Sequence, residues 1–286
     1  MNGFRAIGIV ARLTLREAVR RRLLWALAGL TVLIVVLTWW GFGRIAEASP
    51  IAGPVEILGV SQVTVMLAFM FSFVLAMTAV FAGSPAIGPE IESGLLLAVL
   101  ARPIRRADVL IGRWLGLASV LVAYALVAGY LELGAVDLAT GYTASDSLQA
   151  PWYLAGEALV LLTLAIVLST RIASVAGGAV AVVAYGLAWM AGVMGGVGEA
   201  FNNDVLRDAG IVSRWLVPSD VLWRGAAGAL TPPESILSAG GIAEPGLYRF
   251  SPFSGAAPSP EWLAWCLIWV AAMLGLGILL LRRREV

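Results

Sequence analysis

The chain has 286 residues, of which 60% are hydrophobic and only 13% charged, with a net charge of +1. Soluble domains carry roughly twice that share of charge, so the composition points to a bilayer, and the near-neutral balance gives no footprint for nucleic acid. Histidine and lysine are absent and Cys266 is the only cysteine, which excludes an internal disulfide, Ser-His or Cys-His catalysis, imidazole metal sites and the lysine-bearing loop that cradles ATP phosphates.

Residues 1–22 read as an amphipathic helix. Arg5, Arg12, Arg16 and Arg20 fall within one polar sector, and Ile7, Val10, Ala11, Thr14 and Ala18 form a weaker apolar side. Such a helix lies in the headgroup layer with its arginines on anionic phosphates, and the same charges equally serve as an anchor for the span that follows. A hydrocarbon core of about 30 Å then needs roughly 20 apolar residues per helix, because no water satisfies a bare backbone there. Six stretches qualify: 23–42, 61–83, 109–131, 152–170, 172–198 and 262–281. The fold class expected is therefore all-α integral membrane with six transmembrane helices. Ala46-Glu47-Ala48 has the look of a signal cleavage site, but the apolar run before it is too long for a signal core and reads as a retained helix.

Between the spans, 44–60 and 134–151 read as short connections on one side, and Thr170-Arg171 as a tight turn on the other. Residues 198–261 are the longest non-spanning region. Asn202 and Asn203 cap a helix with Val205, Leu206, Val212, Trp215 and Leu216 on its apolar side, and Pro218-Ser219-Asp220 opens a second short helix over 221–230. These helices are expected over the far face, partly re-entrant, or as an extracytoplasmic cap. Within the spans, Gly112 with Gly116 and Gly192 with Gly196 are candidate helix-packing pairs, either within the chain or between subunits. Glu157 is the one acid well inside a span. Trp152 and Tyr153 set it near an interface, where it snorkels or finds a polar partner, against a role in substrate or proton contact.

Arginine sets the orientation. With the N-terminus in the cytoplasm, fourteen of the 19 basic residues fall on the inner side and five (Arg44, Arg207, Arg214, Arg224, Arg249) on the outer, so both termini are expected inside. The inner segment 84–113 carries the most information. Pro89, Glu90 and Glu92 suit the start of a cytoplasmic helix, Leu95 to Leu100 give it an apolar run, and Arg102-Pro103 ends it ahead of Arg105, Arg106 and Asp108. Acid at one end and base at the other suit docking on a soluble partner.

That segment resembles the type-2 ABC exporter permeases. Their pattern of glutamate, glycine-threonine, an apolar run, Arg-Pro-x-x-Arg and a glycine-rich start of span three corresponds here to Glu90, Gly94, Leu95 to Leu100, Arg102-Pro103, Arg106, and Gly112 with Gly116; Leu95 stands where threonine is common. The arginine-rich helix before span one, the six-span layout and Val217-Pro218-Ser219-Asp220 extend the likeness over nearly the whole chain, 1–286, as a single transmembrane permease domain. The resemblance implies a coupling helix between spans two and three. It also implies that Glu90, Glu92, Gly94, Leu95, Arg102, Pro103 and Arg106 contact a soluble ABC ATPase, with Arg171 as a smaller second contact. A second permease copy or a related subunit completes the pathway in a bacterial inner membrane. ATP and Mg belong to the partner, and this chain needs no cofactor or metal and is not itself an enzyme.

Two other classes compete. An ion-coupled secondary transporter predicts mid-membrane acids in matched halves, and no such repeat is legible. An intramembrane enzyme lacks a histidine for a dyad and paired aspartates inside the spans. A largely uncharged interior favours an apolar or amphipathic cargo over a transition metal.

Overall fold

The computed structural model describes residues 3–20, 22–48, 53–87, 105–232, 253 and 255–282, and among these it is helical with no strand. The helices are α1 (Gly3–Arg20), α2 (Arg22–Ala48), α3 (Pro54–Gly83), α4 (Arg106–Thr140), α5 (Ala150–Ser169), α6 (Ser174–Ala200), α7 (Asp204–Leu216), α8 (Ser219–Leu230) and α9 (Pro260–Arg282). Six of them, α2 to α6 and α9, are long and apolar enough to cross a membrane, making this a multi-pass membrane protein.

Helix α5 is apolar on nearly every side, and a helix of that kind belongs inside. It stands at the centre, touching α3, α4, α6, α8 and α9. Leu161, Leu162, Ala165 and Ile166 are fully buried along it. Helix α2 is the opposite case. It packs chiefly on α4, and Trp25, Leu33, Leu37 and Trp40 point away from the bundle.

Several helices overrun the apolar stretches that define them. Helix α3 begins at Pro54, seven residues before the expected span, with proline at its first turn and Glu56 at its positive end. Helix α4 has 35 residues and continues through Gly134 to Thr140, where Gly141 closes it in the left-handed conformation at φ 68° and donates its N–H to the Asp137 carbonyl. Expected loops at 44–60 and 134–151 are thus largely helix. Val136 on this extension buries itself against Phe42 and Val60, which is the contact that keeps the overrunning turns ordered.

Helix α1 lies along the start of α4. Its face of Ile7, Val10, Ala11, Thr14 and Ala18 is turned inward, while Arg5, Arg12 and Arg16 are exposed. Two glycines make the approach possible: a Cβ on Gly112 would come within 2.7 Å of the Val10 Cβ, and one on Gly116 within 2.8 Å of the Ala11 carbonyl oxygen. Both glycines therefore serve packing within the chain. Gly112→Val should lift α1 from α4, since overpacking costs about 1–3 kcal/mol, roughly 5- to 150-fold in the docking equilibrium. Trypsin cleavage at Arg12 and Arg16 should accelerate accordingly. Gly8→Ala, which meets nothing within 4 Å, should leave the rate unchanged, and equal rates for both variants would refute the contact.

Helix α7 folds back onto the outside of α6, and α8 folds back into the bundle. Asn203 caps α7, its Oδ1 accepting from the Leu206 N–H at 3.2 Å. The helix then runs back along α6, with a Cβ on Gly195 only 3.0 Å from the Gly210 Cα. Contact with α6 is made by small residues, so of the expected apolar side Val205, Val212 and Leu216 are exposed and Leu206 is half-buried, while Trp215 packs on Trp262 at 5.1 Å and Trp265 at 4.6 Å. Pro218 turns the chain, and α8 rises inside, almost wholly buried against α5 and α3. Its far end is fixed where the Ser61 hydroxyl donates to the Leu230 carbonyl at 2.7 Å.

Candidate functional site

At the arginine-rich end, two sequence-predicted contact residues meet on one helix. Arg106 opens α4 and donates Nη1 to the Leu281 carbonyl at 2.9 Å. Arg171, in the turn between α5 and α6, donates Nη2 to the Leu280 carbonyl at 3.1 Å. Both acceptors belong to the last turn of α9, where carbonyls lack intrahelical partners and the helix dipole favours a cation. Arg106 and Arg171 thus clamp the end of α9, and Gly277 one turn earlier lets it approach Val167 and Leu110. Ile87, in the turn after α3, is buried, and Arg105 lies just before α4. The intervening Glu90, Glu92, Gly94, Leu95, Arg102 and Pro103 lie outside the described residues, as does the side chain of Arg20.

A second polar constellation lies deep in the bundle. Asp220, in the first turn of α8, is buried and accepts from two arginines through one oxygen: Arg214 Nε of α7 at 3.1 Å and Arg224 Nε at 3.0 Å. Arg224 also donates to the Gly192 carbonyl of α6. Gly192 is required here because any side chain would occupy the space of the Asp220 carboxylate. The cluster ties α6, α7 and α8 together. Gly192 lies eight residues from the end of α6, about 12 Å along its axis, so α8 is buried beside α6 well below its end, while α7 lies along the outside of α6 with Gly210 as its buried residue. Of the predicted glycine pair, Gly196 is buried on α6, but Gly195 makes the contact with α7.

Glu157 is fully buried in α5 and accepts from the Ser72 hydroxyl of α3 at 2.8 Å, with the Tyr185 hydroxyl of α6 3.4 Å from Ser72. Ser72 and Tyr185 lie near the middles of their helices, so Glu157 sits at mid-bundle. Of the two expectations for Glu157 the polar partner is found, in Ser72, whereas snorkelling near an interface is corrected: α5 starts late, while α3 and α6 extend well beyond it. Phe69, one turn from Ser72, joins α3 to α6 through Trp189 at 5.5 Å and to α8 through Trp223 at 5.3 Å.

Sequence reading missed Ser72, Tyr185, Arg214 and Arg224. The Asp220–Arg224 spacing of four was the one available signal, since it places both on one face of a helix. Among the described residues no group of three His, Cys, Asp or Glu is placed to hold a metal ion. The interior groups connect helices: Glu157 and Ser72 join α5 to α3, and Asp220 with its two arginines joins α8 to α7.

Residues 9–286 match the family described as ABC-2 family transporter protein. The chain is also similar to the "Probable ABC transporter permease protein NosY" of Pseudomonas aeruginosa PAO1, at 31% identity over 167 residues, 57% of this chain and 58% of that protein. In that match the chain spans less than two thirds of the curated relative's length.

Proposed function

The chain belongs to the ABC-2 family of transporter proteins, and we propose that it is the permease subunit of an ATP-driven exporter, coupled to a separate ATPase. The family match along 9–286, on a frame of six spanning helices, carries this reading. A relative named as an ABC transporter permease points the same way. The segment 88–104 is the proposed coupling helix, with Glu90, Glu92, Gly94, Leu95, Arg102 and Pro103 against the ATPase and Arg106 and Arg171 beside it. Because both arginines hold α9, a displacement there reaches α4, the α5–α6 turn and α9 together. ATP and Mg are assigned to the partner. Arg5, Arg12, Arg16 and Arg20 face the cytoplasmic headgroups, both termini are cytoplasmic, and the location is a bacterial inner membrane. Six spans are few to enclose a pathway, so two permease copies and two ATPases form the working complex.

One observation favours ion-coupled transport as a second reading: Glu157 is an acid at mid-bundle, where such residues mark ion pathways in other transporters. Reconstitution with and without the proposed ATPase partner separates the two. ATP-dependent cargo movement by a complex of two permeases and two ATPases is expected. An active complex with one permease, or transport driven by a proton gradient without the ATPase, would overturn the proposal.

A further inference from the structure

Helices α2 and α3 are consecutive in the chain, yet each leans on other helices: α2 on α4, and α3 on α5 and α4. Between them runs a crevice in two adjoining parts, of about 300 Å³ and 380 Å³, which share Ile34 and Leu67 as lining residues. Its walls are apolar apart from Thr64, whose hydroxyl donates to the Val60 carbonyl of its own helix, and two polar points. At the deep point the Thr31 and Tyr124 hydroxyls lie 2.8 Å apart. At the other, Thr38 donates to Glu132 Oε1 at 2.5 Å. Thr38 directly precedes Trp39 and Trp40, an aromatic pair of the kind that marks the headgroup level of a bilayer. Thr31 is seven residues earlier, about 10 Å deeper. The crevice therefore runs along α2 from Leu30 past Thr38 to Ile45, with the Glu132 carboxylate lining its inner part at the level of Thr38, next to the aromatic pair. Among the described residues no arginine pairs with Glu132.

We propose that this crevice holds a phospholipid of the surrounding bilayer, with an acyl chain between α2 and α3 and the primary ammonium of an ethanolamine headgroup on Glu132. A helix of a second copy, about 10 Å across, is too wide for a recess between two helices that share the same supports. An acyl chain fits its length and its dryness. A lone carboxylate at headgroup level calls for a cation that donates hydrogen bonds, as an ammonium does and a quaternary choline does not. The inference depends on the helix layout and not on the transport reading.

The test uses the full chain in nanodiscs of phosphatidylglycerol doped with phosphatidylethanolamine or phosphatidylcholine, each bearing a photoreactive acyl chain. Crosslinks should map to residues 30–45 and 63–74, with ethanolamine exceeding choline about tenfold, the gain of one charge-assisted contact worth about 1.4 kcal/mol. Glu132→Gln keeps an acceptor for Thr38 and should lower ethanolamine labelling to the choline level. Ala68→Trp, which fills the crevice from α3, should suppress both lipids. Equal labelling of the two headgroups, or a preference that survives Glu132→Gln, would overturn the headgroup assignment. Crosslinks spread evenly over all exposed helices, or none at α2 and α3, would overturn the site itself.

Discussion

Asp220→Ala is expected to be the most damaging single substitution in the described structure. The change leaves Arg214 and Arg224, both largely buried, without their shared carboxylate, and leaves a void above Gly192. Breaking a buried ion pair by removing one partner typically costs about 3–5 kcal/mol, because the surviving charge is stranded. Here two charges are stranded, and the three helices they join lose their only ionic link among the described residues. The purified variant should melt far below the parent protein, and Asp220→Asn, which retains an acceptor, should fall between them. Asp204→Ala supplies the control: its pair with Arg207 is exposed, and such pairs are worth about 0–1 kcal/mol. If Asp220→Ala and Asp204→Ala melt together, the buried cluster does not hold α7 and α8.

Glu90→Arg should abolish transport while the protein remains inserted in the membrane. On the proposed coupling role, Glu90 meets the ATPase across a desolvated contact, where loss of one charge costs about 2–5 kcal/mol and reversal adds repulsion. Docking should weaken by roughly 30-fold or more. Glu47→Arg is the comparison, since Glu47 is well exposed and pairs only with neighbouring Arg44 at 2.8 Å. Co-purification of the ATPase together with transport rate reads both variants. Wild-type values for a correctly inserted Glu90→Arg would refute the assignment of this residue.

The six spans were legible because a bilayer imposes an unbroken apolar length, and composition alone marks where that occurs. The inward face of α1 was legible too, since Ile7, Val10, Ala11, Thr14 and Ala18 recur at helical spacing. Depth was not. Glu157 looks shallow when measured from Trp152 along its own helix, but depth is a relation to neighbours, and only packing reveals that α3 and α6 outrun α5. The direction of α7 was also hidden. An apolar stripe is expected to face the core, whereas the contact of α7 with α6 is made by small residues such as Gly195 and Gly210, Val205, Val212 and Leu216 stay exposed, and Trp215 turns to α9. Arg214 and Arg224 were counted as outer-loop charges because a sum over a loop carries no record of which side chains fold inward.

The clamp on α9 also constrains how the protein is made. Arg106 and Arg171 belong to segments synthesised well before α9, yet the carbonyls they hold, at Leu280 and Leu281, are in the last turn of the last described helix. Those bonds close only after α9 has left the ribosome and inserted, so the earlier helices wait in the bilayer without them. Fastening of the bundle is thereby tied to the synthesis of α9: a chain stalled inside α9 retains the five earlier spans but leaves the ends of α4 and α5 without these two bonds.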